Sequence, residues 1–243
     1  MKLIHFEEID STNRYAKENA EILGDFTFIS ASFQSEGKGR FSRSWCSNRG
    51  ENLLFSLLLK DEKLIECYKD ISVATAYVIY LTIKEIDKEN QYLFKWPNDL
   101  YVKDKKLTGI LLSSCMKDDK IIAVIDGVGI NINQTIFPSY ISDKTTSLKL
   151  LLRKDIDLEK FKLSLYQKMY SYFQKIKEGR KDHILFAKEN NYLKDKMVDT
   201  FLKGVKKTVK VIDINDDCSL KIEHDGIIEN VISSEMTIHN ASE

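Results

Sequence analysis

Four stretches of this 243-residue chain gather residue types that hold anions or let a ligand approach the backbone. Residues 34–45 read Gln-Ser-Glu-Gly-Lys-Gly-Arg-Phe-Ser-Arg-Ser-Trp, with Lys38, Arg40 and Arg43 against one acid, Glu36. Gly37 and Gly39 let backbone amides turn toward one point. Converging N–H donors and guanidinium groups suit a phosphate or an acyl-phosphate. By itself the stretch also reads as a solvated loop with scattered charge. Residues 95–99, Lys-Trp-Pro-Asn-Asp, are either a strand end with an ordinary turn or a pocket mouth carrying Asn98 and Asp99. Lys106 precedes Leu107-Thr108-Gly109. It is either a solvated turn lysine or, beside a glycine that clears space, a holder of carboxylate or phosphate. Gly127 and Gly129 interrupt an apolar run that ends in Asn131 and Asn133. Strand glycines often mark close approach by a ligand, whereas Asn at a strand end also forms turns.

Glycine use points to the same region. The chain has 10 glycines, and six of them (37, 39, 50, 109, 127, 129) lie in this one region. A chain sparing with glycine uses it where the backbone bends sharply or something comes close.

The elements that must position these residues follow from periodicity. Residues 10–20 start a helix with Asp10 or Ser11 as cap. Residues 26–33, 51–59, 93–96, 107–114 and 121–132 suit strands, with a hairpin tip at 104–106. Apolar spacing predicts helices over 70–88 and 158–176, the second stopped at Gly179, and a shorter helix over 182–192. After about residue 195 the pattern becomes short β-like runs separated by turn residues. That is a small antiparallel sheet or barrel of about fifty residues, too small to be robust alone and expected to pack on the main domain.

Composition bounds the function. Hydrophobic residues are 43% and charged residues 30%, enough for a sizeable core. Lys+Arg and Asp+Glu are both 37, so there is no global field for nucleic acid or an anionic membrane, though a local basic patch remains open. No apolar run approaches the ~20 residues of a bilayer span. The acidic N-terminus does not resemble a signal peptide, and the expected compartment is the cytoplasm. Cys46, Cys67, Cys115 and Cys218 form no C-x-x-C pair and have no His near them in sequence. Each is expected to be a small buried hydrophobe rather than a metal ligand or half of a disulfide.

The ordered set DSTN (10–13), Gln34-x-x-Gly-x-Gly-Arg-x-x-Arg-x-Trp45, GENLLFSLLL (50–59), KWPNDLY (95–101), KKLTGILL (105–112) and GVGININ (127–133) resembles the biotin protein ligase family. The likeness spans about residues 1–150, and the C-terminal segment is similar to that family's small SH3-like β domain. It implies an α+β fold: a mixed-sheet catalytic domain of the biotin/lipoate ligase type over 1–194 and an SH3-like β-barrel over 195–243. Lipoate ligases and octanoyltransferases share the catalytic fold, but KWPND with the arginine loop resembles the biotin branch. The family loop commonly reads Gly-Arg-Gly-Arg-x-Gly-Arg. Here Lys38 keeps the charge without the fork, and Ser42 replaces a glycine. Nine residues precede DSTN, too few for the helix-turn-helix some members carry, so a short, non-DNA-binding form is expected.

The resemblance implies that biotin attacks ATP to give biotinyl-5′-AMP and that a lysine of a biotin carboxyl carrier domain, part of a biotin-dependent carboxylase, then takes the biotinyl group. Lys106 and Arg40 would be catalytic. Ser11, Thr12, Asn13, Gln34, Lys38, Gly39, Arg40, Trp45, Lys106 and Gly109 would contact biotin. Arg40, Arg43, Trp45, Lys95, Asn98 and Asn131 would contact ATP or the adenylate. Magnesium would accompany ATP, with Asp99 as a contact. An exposed edge of the main sheet could pair two chains as a homodimer, although no signature demands it. The alternatives are a lipoate or octanoate enzyme of the same fold and a non-catalytic small-molecule binding module.

Overall fold

Every residue of Leu53–Leu59 is buried, and its side chains divide between two faces. In the computed structural model, which describes residues 2–202, 204–234 and 236–238, this segment is strand β3 near the middle of a mixed sheet. The sheet comprises β1 (Lys2–Phe6), β2 (Thr27–Ala31), β3, β4 (Leu93–Lys95), β5 (Asp99–Val102), β6 (Lys105–Lys117) and β7 (Lys120–Ile130) in the order β1-β2-β3-β7-β6-β5-β4. β1 and β2 run parallel and the other neighbours antiparallel. Leu53, Phe55, Leu57 and Leu59 join the large core on one face. Leu58 joins a small cluster with Ala16, Ala20, Leu23 and Ile125 on the other. A side-chain period of two makes that division automatic.

Helix α1 (Thr12–Glu18) covers the small-cluster face and is capped by Ser11, whose hydroxyl accepts from the Arg14 N–H. On the other face lie α2 (Glu62–Glu66), α3 (Tyr68–Lys84), α6 (Leu158–Lys177) and α7 (Asp182–Glu189), with α3 packed on α6 and α7, while the short α4 (Ser139–Ser142) and α5 (Leu148–Leu152) follow β7 in the chain. Phe161, Leu165, Met169, Phe173 and Ile176 of α6 enter the large core at the spacing the sequence predicts. Gly179 ends that stretch at φ 88. α3 stops at Lys84, so Ile86 lies beyond the helix rather than on its apolar stripe.

The expected hairpin tip moves by one residue. Lys103 and Asp104 form the turn, both with positive φ, and Lys105 and Lys106 already belong to β6. Two-residue hairpins need both turn residues left-handed, and Asp tolerates that region. β1 carries an exposed edge pattern with no alternation of apolar residues strong enough to announce it.

After Asp195 come β8 (Met197–Leu202), β9 (Val205–Ile214), β10 (Leu220–His224), β11 (Ile227–Val231) and β12 (Met236–Ile238). They form an antiparallel sheet in the order β11-β10-β9-β8-β12. Val209, Val211, Leu220 and Ile222 belong to the same continuous core as α3 and β6, so the small unit shares its apolar contacts with the main one. The Trp96 indole N–H donates to the Cys218 carbonyl at 2.9 Å across that junction. Among the described residues no helix is long and apolar enough to cross a membrane.

Candidate functional site

A cavity of about 280 Å³ opens on the α1 face of the sheet. Its wall includes Ser11, Thr12, Asn13, Gln34, Lys38, Gly39, Arg40, Arg43, Trp45, Lys95, Asn98, Asp99, Lys106, Gly109 and Asn131, so every candidate residue of the sequence reading lines one space. Sheet register makes the floor. Gly109 of β6 lies opposite Gly129 of β7, which pairs with Leu54 of β3; Gly127 sits between Leu111 and Ser56 one row on. Residues two apart share a face, so three glycines remove side chains from one patch of the same surface.

Trp45 occupies that patch. A Cβ on Gly109 would lie 2.7 Å from its Cζ3, and one on Gly129 would lie 2.7 Å from its Cζ2. The ring nitrogen is buried without a hydrogen-bond partner. The space cleared above Gly109 is thus taken by an indole of the chain itself in this structure. Gly127 serves a different neighbour: a Cβ there would meet Asn13 Nδ2 at 3.0 Å.

The arginine-rich loop is a small hairpin. The Gly39 N–H donates to the Arg43 carbonyl at 2.7 Å and the Trp45 N–H to the Gly37 carbonyl at 2.9 Å, with Lys38 opposite Ser44. The Gly39 amide is thus used inside the loop rather than turned toward an anion. The tip, Arg40–Ser42, contains Phe41 at φ 55, so the left-handed residue of this turn is Phe41, one place before the serine that replaces a family glycine.

One end of the cavity is polar and uncharged. Gln34 Oε1 accepts from the Thr12 N–H at 2.7 Å and from the Thr12 hydroxyl at 3.0 Å, and that hydroxyl is 2.9 Å from Ser56 Oγ. Asn13 Oδ1 accepts from the Ser113 hydroxyl, while its Nδ2 is buried without a partner. A buried donor left unsatisfied is costly, so this end is built to receive a polar, neutral group.

The other end is cationic. Lys38, Arg40, Arg43, Lys95, Lys106 and Lys144 line the cavity against one carboxylate, Asp99. In a chain with no net charge, that concentration makes a local field for an anion. Lys106 Nζ lies 2.8 Å from Asp99 Oδ1 and 5.6 Å from the centre of the Trp45 ring. Asp99, read from sequence as a magnesium contact, thus holds a lysine here. Burial draws the Arg40 guanidinium's proton affinity down, Asp99 opposes this and Arg43 adds to it, for a net lowering; the group remains a cation. Arg40 donates to the Ser233 carbonyl of the small β unit at 2.6 Å and reaches Asn98 Oδ1 at 3.5 Å. Asn98 Nδ2 donates to the Ile110 carbonyl, and Asn131 Nδ2 to the Thr146 carbonyl at 3.0 Å. Asn131 Oδ1 is buried without a partner. Lys95 is buried with its ammonium 4.8 Å from the Tyr101 ring centre, a cation–π contact.

Sequence reasoning missed Ser56, Lys144 and the 137–145 segment. Ser56 hides inside an apolar run, and its place beside Thr12 depends on sheet register. Lys144 arrives because its carbonyl accepts from the Lys106 N–H, a pairing with no local sequence signal.

The chain matches the biotin/lipoate A/B protein ligase family over residues 5–131. It is 33% identical over 158 residues to the bifunctional ligase/repressor BirA of Bacillus subtilis, covering 64% of this chain and 48% of that protein. It is 30% identical over 124 residues to the biotin–[acetyl-CoA-carboxylase] ligase of Paracoccus denitrificans, covering 51% of each. The chain thus spans about half the length of these curated relatives in the aligned regions. Among solved structures, the biotin protein ligase of Aquifex aeolicus in complex with biotin and ATP superposes with a TM-score of 0.86 at 27% identity, covering 99% of both chains.

Proposed function

Because the chain belongs to the biotin/lipoate A/B protein ligase family, we propose that it activates biotin with ATP and passes the biotinyl group to a lysine of a biotin carboxyl carrier domain. The observation that carries this reading is the polarity of one cavity: an uncharged hydrogen-bonding end at Thr12, Gln34 and Ser56 and a cationic end with six basic side chains against Asp99. A neutral ureido ring and an anionic acid-plus-triphosphate need those two environments. The named activities of the bacterial relatives agree with it.

In the first step a biotin carboxylate oxygen attacks the α-phosphorus of ATP and pyrophosphate leaves. In the second the carrier lysine's amine attacks the acyl carbon, an amide forms and AMP leaves. Neither step demands strong side-chain acid–base chemistry, because the carboxylate of the first step is already ionised and the mixed anhydride of the second is already activated. What this chain must do is bring two anions together, offset charge at phosphorus and exclude water. Ser11, Thr12, Asn13, Gln34 and the backbone of 38–40 bind the ring; Lys106 bridges carboxylate and phosphate. Arg40 and Arg43 hold phosphates as their loop closes, Lys95, Asn98 and Asn131 contact the adenylate, and Trp45 covers the ligand. Magnesium, when bound, would supply further charge neutralisation at the phosphates, and Asp99, the one carboxylate among the described residues of the wall, would hold it on leaving Lys106. Residues 1–194 act as the ligase unit and 195–243 as the small β unit, of which 203, 235 and 239–243 lie outside the described residues.

Acid-dependent exchange of labelled pyrophosphate into ATP tests the reading. Biotin alone should drive exchange. Exchange with lipoate or octanoate instead would assign the other branch of the family, and biotin binding without exchange would make the chain a binding module.

A further inference from the structure

On the face of the sheet opposite the glycine floor, three ligand-type side chains meet that linear spacing keeps apart. Asp70 comes from the first turn of α3, His183 from the first turn of α7, and Cys218 from the turn between β9 and β10. One donor atom of each lies within 4.8 Å of the other two. All three residues are buried, His183 completely. We propose that Asp70, His183 and Cys218 form a structural zinc site that staples the small β unit to α3 and α7.

The geometry favours a metal over a plain hydrogen-bonded knot. His183 Nε2 is buried with no hydrogen-bond partner, and its nearest anion, Asp70 Oδ2, is 3.6 Å away. An N–H···O bond would want about 2.9 Å. The Cys218 thiol donates a long hydrogen bond to Asp70 Oδ1 at 3.5 Å. Ligand lengths of about 2.0–2.3 Å around zinc set the edges of a tetrahedron at about 3.3–3.8 Å, and each neighbour's donor atom lies within that range of the carboxylate oxygen nearest it. Each residue contributes one donor atom, so the cluster offers three ligands, one nitrogen, one sulfur and one carboxylate oxygen, and a water would complete the four of zinc. Zinc takes that mixture of imidazole, thiolate and carboxylate readily.

The surroundings supply the outer support that a ligating histidine requires. His183 Nδ1 is 2.9 Å from the Tyr172 hydroxyl, which also accepts from the His183 backbone N–H at 3.0 Å. That hydroxyl can receive the Nδ1 proton and leave the Nε2 lone pair facing Asp70 and Cys218. Cys218 stands at φ 62, a left-handed position uncommon for a side chain of this size, held while its carbonyl accepts from Trp96. Burial of all three ligands closes the site to substrate and makes it structural. A thiol, an imidazole and a carboxylate buried together at a junction are otherwise poor packing partners.

The test uses the full chain equilibrated with Zn²⁺ and then freed of unbound ion. Elemental analysis should find about one zinc per chain, and at least tenfold less in Cys218→Ser and in His183→Gln. Co²⁺ in place of zinc should give a thiolate-to-cobalt charge-transfer band that Cys115→Ser leaves intact. If either site variant fails to fold, the cobalt spectrum of the unaltered chain still decides. Metal retention below about a tenth of an equivalent, equal retention in the unaltered chain and Cys218→Ser, or a cobalt spectrum without a thiolate band would each overturn the assignment. Neither measurement depends on biotin or ATP, so failure here is separable from failure of the ligase reading.

Discussion

The indole of Trp45 stands where a side chain on Gly129 would be: a Cβ there would lie 2.7 Å from Cζ2 and 2.8 Å from Nε1. The two residues are far apart in sequence, one on the cationic loop and the other in β7. Their contact ties loop position to the bare patch of sheet.

That contact predicts a coupling. Gly129→Ala should cost about 1–3 kcal/mol through overpacking against the ring. In a Trp45→Ala background the same change should cost much less, because the colliding ring is gone. Urea denaturation of the four variants of this cycle measures the difference. Equal costs in both backgrounds would show that the ring does not sit on Gly129 in solution.

Lys106 carries the next expectation. Its ammonium lies on the cavity wall, 2.8 Å from Asp99. Lys106→Ala should lower biotin-dependent pyrophosphate exchange about a hundredfold or more, the loss typical of removing a charge stabiliser aimed at a transition state. The fold should survive, since the side chain is not in either apolar cluster. Near-normal exchange in a folded Lys106→Ala protein would remove the residue from the mechanism.

Arg40 links the loop to the small β unit through the Ser233 carbonyl at 2.6 Å. Arg40→Gly should therefore loosen the loop and release the adenylate before transfer. Mass spectrometry of a mixed-protein target should then find biotin on exposed lysines generally. Labelling confined to the carrier lysine would refute the idea that this loop retains the intermediate.

Asp126 gives a pH dependence. Its carboxyl is fully buried on the α3 face, where burial raises its pKa to about 7 and the Thr75 hydroxyl, 2.5 Å from Oδ2, works against that rise. Unfolded, the group titrates near 3.9. Between those values the folded chain keeps a proton that the unfolded chain has lost, so stability falls as pH rises from about 4 to about 7. The full loss from this group is about 4 kcal/mol. Asp126→Asn should remove that component, so the gap between the variant's denaturation midpoint and the parent's should widen across this range. Parallel curves from pH 4.5 to 8 would mean the carboxyl is not buried as described.

Much of the site was legible in the sequence because its chemistry is local in type. Lys38, Arg40, Arg43, Lys106 and the glycines at 109, 127 and 129 suit an anion and a close approach, but each stretch alone reads equally as a loop or turn, and the order of the whole set is what marks a site. The long strands and helices were legible for a similar reason. Side-chain period depends only on backbone geometry, so Leu53–Leu59 and the α6 stripe could be read directly. Short elements without a period, such as β1, α4 and α5, left no comparable mark.

The amino-acid order by itself determined which residues are cations, which positions lack a Cβ, and where apolar faces repeat. Only the tertiary structure decided that Trp45 fills the patch those glycines clear, that Lys106 rests on Asp99, and that Asp70, His183 and Cys218 meet. The physical reason is that each of these contacts joins residues on different elements. Their separation is set by sheet register and by how helices seat on a shared core, and no spacing within one segment encodes it.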